Sequence, residues 1–389
     1  MATDAWGQLL TEIAAAVDLP EQWRAAFADV PRALFVPRDI FVREPGAGRR
    51  YRTVNRDSDP QEWDALVSAK GPVITQLSPS VADGAPAPSS SSSAPQAVAS
   101  MLALLDLAPG ARVLDLGSGT GWTAALLAAY GAHVVSVEAD PELARQAAKH
   151  LEGSRLPVTA LCGDAMKGHA EGAPYAALLS GFSVRHIPAA WIEQVRPGGR
   201  IVSPFGSLFS NTGLVCLTVR ADGELAEGHF AGGVQFMWEQ AQRPVWPLPA
   251  DTAPRSSASA VDPRDVLATA ASRWAIGLQV PGVTCDPVPA KGDRLLRVWC
   301  TDGSTATVAV DRWSAPDAVA QRGPRQVWDE VCTAWNWWHR QGRPRRTRFG
   351  VTADRTGHCR SWLDSPDTPL PRHGDMVRYP GPAPQAREP

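Results

Sequence analysis

A chain of 389 residues is long for one domain and points to two, at about 100–200 residues each. Hydrophobic residues at 44% and charged residues at 20% describe an ordinary folded protein. A formal net charge of −2 excludes a general electrostatic footprint for nucleic acid, although Arg340 to Arg348 is locally basic. Cys162, Cys216, Cys285, Cys300, Cys332 and Cys359 form no CxxC pair, which argues against a metal site and against a secreted disulfide scaffold. The opening MATDAWGQLLTEIAAAV carries Asp4 and Glu12 and no basic segment of a signal peptide. No apolar run approaches the roughly 18 residues that span a bilayer. The chain therefore reads as cytoplasmic and reduced, and no membrane or nucleic-acid partner is expected.

In chain order, Leu9, Leu10, Ile13 and Val17 recur at helical spacing, and a second helical stretch runs from Trp23 to Phe27 after Pro20. VPRALFVPRDIF follows, then a polar segment of low periodicity from Arg43 to Lys70. Next comes a run of serines, Ser89 to Ser93. Taken alone, such a run is most often a flexible linker. Here it leads through Ala94-Pro95-Gln96 into an apolar helix carrying Val98, Met101, Leu102 and Leu105.

From there RVLDLG, AHVVSVEAD, VTALCGD, YAALLSGF and GRIVSPFG read as strands, with TAALLAAYG and PELARQAAKHL as helices between them. Strands alternating with helices of about ten residues predict a doubly wound α/β sheet with crossover connections. NTGLVCLTVRADGELAEGHFAG has a turn at Ala221-Asp222-Gly223 and predicts an antiparallel pair that closes the sheet. The Pro-rich stretch Gln242 to Ala260 is the best linker candidate. The expected organisation is a catalytic unit over 1–245, whose N-terminal helices occupy residues 1–42 and whose insertion occupies 43–80. A linker at 246–261, an α+β Trp-rich domain over 262–376 and a disordered tail at 377–389 follow.

VLDLGSGTGW, Val113 to Trp122, is the sharpest chemical signal. Gly117, Gly119 and Gly121 follow a strand and open a helix, where the backbone must turn tightly and let a ligand approach. Glu138 ends the next strand about 20 residues on, where a carboxylate can accept from a ribose diol. A dinucleotide site wants GxGxxG. This loop is GxGxG preceded by Asp115, and an acid facing the loop suits the amino group and sulfonium of S-adenosylmethionine better than a pyrophosphate. Ser118, Thr120 and Ala139 lie beside these positions. In LCGDA, Gly163, Asp164 and Ala165 end a third strand, with Asp164 placed for an adenine amino group or, equally, as a helix N-cap.

The chain then resembles the protein-L-isoaspartate O-methyltransferases over roughly residues 20–240. VPRALFVP, SAPQAVASML, VLDLGSGTGWTAALLA, VVSVEADPELARQA and VRPGGRIVSPFG carry the resemblance. It implies the class I methyltransferase fold, a Rossmann-like α/β sheet, with S-adenosylmethionine as cofactor and S-adenosylhomocysteine as product. The family's Ser/Thr-x-Pro motif falls on Ser93-Ala94-Pro95. By that resemblance Ser93, with Ser92 beside it, belongs to an active-site loop next to the methyl donor and the incoming carboxylate. Ser91, Pro95 and Gln96 are expected to line the substrate site, together with Val73 and Ile74, read as an edge segment or else an ordinary buried loop, and Arg185 from the loop after the fourth strand, which reads equally as a surface arginine. His186 reads as structural, Trp191 as core, and Trp335 with Trp338 as core rather than a ligand platform.

Three features depart from the housekeeping repair enzyme: the segment Asn55 to Ser78, SGFSVRHIPAAWIEQVRPGG, and the Trp-rich C-terminal region. They look like an actinobacterial subgroup that tailors ribosomally made lanthipeptides and graspetides. That likeness implies a monomeric enzyme methylating an aspartate of a macrocyclised peptide, whose ester goes on to aspartimide or isoaspartate. In this reading the C-terminal region helps to hold the peptide. Repair of isoaspartyl residues in damaged proteins is the alternative. Either substrate is a carboxylate, ionised at neutral pH because an ordinary Asp titrates near ~3.9. It needs no general base, so placement and exclusion of water carry the reaction and no Ser-His-Asp triad is expected.

Overall fold

The computed structural model describes residues 5–46, 48–80, 84–154, 156–243, 248–286 and 294–373. The tail expected at 377–389 lies outside the described residues, as does the start of the linker at 246–247. Helices α1 (Ala5–Ala16) and α2 (Glu21–Asp29) open the chain. Leu9 and Ile13 of α1 and Trp23, Ala26 and Phe27 of α2 are buried in one core with Trp122. Trp23 stacks on Tyr130 at 4.0 Å between centroids, and Trp122 Nε1 donates to the Val30 carbonyl at 2.9 Å.

The polar segment is not a loose insertion. Strands β1 (Asp39–Arg43) and β2 (Tyr51–Asn55), helix α3 (Pro60–Val67), and strands β3 (Val73–Pro79) and β4 (Pro86–Ser92) build an antiparallel sheet in the order β2-β1-β3-β4. Its core is small: Val36, Ile40, Val54, Trp63, Val67 and Val73. One or two apolar side chains per element suffice for it, too few to give the sequence a visible period. The boundaries 1–42 and 43–80 are therefore corrected, since the sheet runs from residue 39 to residue 92. The serine run is corrected too. Ser89 to Ser92 are neither linker nor loop but the end of β4, with Ser92 opposite Val73, Ser91 opposite Ile74 and Ser90 opposite Gln76. The period of two buries Ser90 and Ser92 on one side.

Helix α4 (Pro95–Leu102) starts with proline at its first turn, where no backbone donor is lost. After it come β5 (Arg112–Leu116), α5 (Trp122–Ala129), β6 (His133–Glu138), α6 (Pro141–Ser154), β7 (Val158–Cys162), β8 (Tyr175–Ser180), α7 (Ala189–Gln194) and β9 (Val195–Phe205). β7-β6-β5-β8-β9 pair in parallel. The carboxyl ends of β5, β6 and β8 thus open on one side, at the switch point where such sheets bind ligands. Trp191 of α7 is fully buried beneath them.

β10 (Gly213–Val219) and β11 (Leu225–Gly232) form the expected antiparallel pair, but they do not close the sheet. β12 (Arg255–Ser257), α8 (Pro263–Leu267), α9 (Ala270–Gly277), β13 (Val283–Cys285), β14 (Leu295–Cys300), β15 (Thr305–Ala309), β16 (Val319–Arg322) and α10 (Val327–Arg340) come first. Then β17 (Phe349–Asp354) pairs with β11, and β18 (Cys359–Leu363) pairs with β17. Among the described residues the central sheet therefore has nine strands, while β12-β16-β15-β14-β13 make a separate antiparallel sheet with its own core. A self-contained unit over 262–376 is corrected accordingly. The free edge of β11 carries unpaired backbone groups that β17 satisfies, and Trp274 of α9 packs on Phe230 at 4.7 Å. Trp328 and Trp338 are buried along α10, and Trp335 packs against the same region's core. Among the described residues no helix is long and apolar enough to cross a membrane.

Candidate active site

The loop after β5 turns on three left-handed glycines, Gly117 (φ 80°), Gly119 (φ 53°) and Gly121 (φ 89°). A Cβ at Gly117 would stand 2.7 Å from the Phe182 ring, so only glycine lets the loop lie against the end of β8. The Gly119 amide donates to Glu138 Oε2 at 2.9 Å, and the Asp140 amide donates to Glu138 Oε1 at 3.1 Å. Two backbone donors thus fix the Glu138 carboxylate at the carboxyl end of β6. It faces a cavity of about 700 Å³ that Gly117, Ser118, Gly119, Thr120, Ala139, Asp164 and Ala165 also line. Asp164 does both jobs weighed for it: it lines the cavity, and its Oδ1 caps the following turn by accepting from the Met166 amide at 2.9 Å.

Three expected cofactor residues stand behind this wall instead of in it. Gly121 is the left-handed N-cap of α5 and packs on Ala147 and Leu151 of α6. Gly163 ties β7 to β6 through its amide and the Glu138 carbonyl at 2.9 Å. Asp115 does not face the loop as expected. It sits in register with Ser136 on the neighbouring parallel strand, so its carboxylate turns to Ser136 Oγ, which donates at 2.6 Å. Ser136 Oγ in turn lies 2.5 Å from Ser118 Oγ, linking the buried acid to a side chain on the cavity wall. Burial pushes the Asp115 carboxyl up to about 6, against the Ser136 hydrogen bond and with the Glu138 charge adding to the rise.

The opposite wall is the serine strand. Ser89 to Ser93, Ala94 and Ile74 line the cavity. Two neighbouring hydroxyls are engaged: Ser89 Oγ donates to Gln76 Oε1 at 2.7 Å, and Thr75 Oγ1 donates to Ser90 Oγ at 3.1 Å. Gln76 Nε2 reaches Asp140 Oδ2 at 3.0 Å and so ties this sheet to the far wall. Ser92 differs. It is 2% exposed, and among the described residues its hydroxyl has no hydrogen-bond partner. Three other expected substrate residues are corrected. Val73 points into the core of the small sheet, since register puts it one residue out of phase with Ile74. Pro95 is buried at the start of α4, and Gln96 is exposed, and neither lines the cavity.

Two contributors escaped the sequence reading. Arg32 is fully buried, and no carboxylate is among its hydrogen-bond partners. Its Nε donates to the Val67 carbonyl at 2.9 Å, Nη2 to Ala69 at 2.7 Å, and Nη1 to Gly71 at 2.8 Å and Ser93 at 3.1 Å. One guanidinium thereby fixes the end of α3, the approach to β3 and the Ser93 backbone. Burial lowers its pKa to about 10, so it stays charged. An arginine inside the apolar motif VPRALFVP was the available signal. The third wall runs from Gln235 to Gln240 and on to Arg243, the one cationic side chain among the described lining residues. Backbone bonds from Ser183 to Met237 and from Glu239 to Ser183 hold it to the end of β8. Arg185 stands elsewhere. It lines a second cavity with residues of the C-terminal region.

Residues 82–237 match the protein-L-isoaspartate(D-aspartate) O-methyltransferase (PCMT) family. The chain is similar to a protein-L-isoaspartate O-methyltransferase of Pyrococcus horikoshii, 38% identical over 148 residues, 37% of this chain and 66% of that protein. It is also similar to one of Pyrococcus abyssi, 35% identical over 147 residues, 37% of this chain and 68% of that protein. The chain thus spans about two thirds of the length of these curated relatives. A solved structure of a protein-L-isoaspartate O-methyltransferase shares the fold at a TM-score of 0.52 and 16% identity, over 92% of this chain and 99% of that one.

Proposed function

The chain belongs to the protein-L-isoaspartate O-methyltransferase family, a class of carboxyl O-methyltransferases that use S-adenosylmethionine, and on that premise we propose that it methylates the free carboxylate of an L-isoaspartyl residue in a polypeptide. The observation that carries the reading is Ser92. Its buried hydroxyl, without a partner among the described residues, lines the same cavity as the glycine loop and Arg243. A buried hydroxyl left unpaired costs about 1–3 kcal/mol. A carboxylate brought into the cavity accepts from it and removes that cost.

The donor set suits S-adenosylmethionine. Glu138 would offer lone pairs to a ribose diol, Gly117 and Gly119 bring backbone without side-chain bulk, and Asp164, on the same lining as Ala165, would accept from an adenine amino group. Bound there, the cofactor supplies an electrophilic methyl group on a sulfonium. The rest falls to the chain. Arg243 draws the anionic substrate in, Ser92 and Ser93 orient one carboxylate oxygen, and Arg32 holds the Ser93 backbone in place. No residue has to take a proton, because the nucleophile arrives ionised. The walls contribute by positioning and by keeping water away.

The narrower reading, an aspartate in a macrocyclised ribosomal peptide leading to aspartimide, is the other arm of one assay. The chain is incubated with S-adenosylmethionine and either an isoaspartyl hexapeptide or a cyclised peptide bearing ordinary aspartate, and products are weighed by mass spectrometry. We expect the isoaspartyl peptide to gain one methyl group. Gain on the cyclised peptide alone, followed by loss of methanol, overturns the isoaspartyl assignment in favour of the tailoring one.

A further inference from the structure

The third wall of the first cavity lies outside the strands. β11 ends at Gly232, and between Gly233 and Glu239 the wall's one ladder contact among the described residues is the bridge of Trp238 with Ser183. Yet Phe236, Trp238 and Arg243 of this segment line the cavity. Its position therefore depends on side chains that reach it from elsewhere. Ser183 Oγ donates to the Phe236 carbonyl at 3.3 Å, and Asn211 Nδ2 donates to the same carbonyl at 2.8 Å. Asn211 lines the cavity as well.

The base of that wall is gripped by one residue of the C-terminal region. In the antiparallel register of β11 with β17, His229 stands opposite Gly350, so the same register carried four residues further brings Arg346 beside Gly233. A Cβ on Gly233 would collide with Arg346 Nη1, so glycine makes the room for the guanidinium. Nη1 donates to the Thr212 carbonyl at 2.7 Å and to the Gly232 carbonyl at 3.4 Å, and Nη2 donates to Thr212 Oγ1 at 2.9 Å. The guanidinium carbon lies 4.8 Å from the centre of the Trp274 ring on α9. No carboxylate is among its hydrogen-bond partners, and burial lowers its pKa. Thr212 follows Asn211, and Gly232 leads into the wall. Arg346 thus fastens together the two segments that meet again at Asn211 and Phe236, as Arg32 fastens the end of the serine strand.

We propose that Arg346 is a positioning residue for methyl transfer: through Thr212 and Gly232 it sets the third wall where that wall meets the polypeptide substrate. The substrate half of this rests on the methyltransferase reading; the anchoring of the wall does not. The C-terminal region thereby acquires a function at the site without touching the reacting atoms. It shapes the wall that carries Trp238 and Arg243, whereas the glycine loop and Glu138 hold their shape through local backbone. Loss of Arg346 should therefore weaken the grip on the polypeptide and leave the grip on the cofactor alone.

The test compares Arg346→Met, Arg346→Lys and Thr212→Val with the parent chain, by amide hydrogen exchange and by steady-state kinetics on an isoaspartyl hexapeptide. In Arg346→Met the amides of 233–243, including the Glu239 amide that donates to the Ser183 carbonyl, should exchange about tenfold faster relative to those of 113–122. KM for the hexapeptide should rise about tenfold with kcat little changed, the mark of binding lost equally from ground and transition states. Affinity for S-adenosylhomocysteine, read by calorimetry, should stay at the parent value. Arg346→Lys keeps a donor for the two carbonyls and should recover most of both losses. Thr212→Val removes the acceptor of Nη2 and leaves the carbonyl in place; it should move exchange and KM in the same direction by less, and it decides the matter if Arg346→Met does not fold. Parent-like exchange of 233–243 with parent-like KM overturns the proposal. So does faster exchange of both segments alike with KM unchanged, which is loss of stability alone. If the parent itself leaves the isoaspartyl hexapeptide unmethylated, the isoaspartyl reading falls, and exchange of 233–243 still decides whether Arg346 anchors the wall.

Discussion

The two long walls of the first cavity hold their shape by different means. The glycine wall is a short local unit, strand, loop and helix, whose curve comes from positive φ angles at Gly117, Gly119 and Gly121. Its one buried acid, Asp115, supports it from below. The serine wall has no such local rule. β4 is an edge strand of a four-stranded sheet, and its far end is fixed by Arg32 from 61 residues away. One wall is set by backbone conformation and can bind through its amides. The other is set by a distant side chain and can bind through hydroxyls. Damage to the first should therefore appear in cofactor binding, and damage to the second in folding or turnover.

The largest effect expected from that contrast is at Arg32. Arg32→Met removes the donor from the carbonyls of Val67, Ala69, Gly71 and Ser93 at once. Stranding several buried acceptors places the loss at about 3–5 kcal/mol of unfolding free energy, read by denaturant titration. A variant as stable as the parent would show that the serine wall stands without its prop and would dissolve the contrast.

Asp115 offers the next test, through pH. Its folded pKa is raised from 3.8 to about 6 by burial. Between those values the folded chain keeps a proton that the unfolded chain has released. This group's contribution therefore falls as pH rises through the window, and above about 6 the native state carries a buried charge. Relative to Asp115→Asn, the parent should lose about 3 kcal/mol between roughly pH 4 and pH 7. A flat difference across that range would mean that the Ser136 hydrogen bond already holds the carboxylate ionised at the lower end.

The same contrast explains what could be read in the sequence. The glycine wall was legible because its loop and the carboxylate that faces it lie between Asp115 and Glu138, and glycine spacing directly reports where φ must be positive. The direction of Asp115 was missed, since facing Ser136 is a matter of strand register, and so was the place of Gly121 and Gly163 behind the wall. The serine wall carried its residues in plain view, but not their conformation. Ser89 to Ser92 have low strand propensity by themselves and are extended because β3 pairs with them. Arg32, the β11–β17 pairing and the place of Arg185 in a second cavity all join segments far apart in sequence. Tertiary pairing of that kind leaves no local period.

Ser92 is the smallest change in energy and the sharpest test of the hydroxyl wall. Its neighbour Ser90 accepts from Thr75 at 3.1 Å, whereas Ser92 has no partner among the described residues. Ser90→Ala should therefore cost about 0.5–1.5 kcal/mol of stability, the usual net worth of one hydrogen bond. Ser92→Ala should cost none, and should raise stability by up to about 1 kcal/mol, because it replaces an unsatisfied buried hydroxyl by a methyl group. Turnover should respond in the opposite order. Loss of the hydroxyl that orients the carboxylate lowers kcat on an isoaspartyl peptide about tenfold, the equivalent of one positioning hydrogen bond, with KM little changed. A Ser92→Ala chain that is destabilised like Ser90→Ala yet turns over normally would make both hydroxyls elements of the sheet. The substrate carboxylate would then have to be oriented from the third wall, by Arg243.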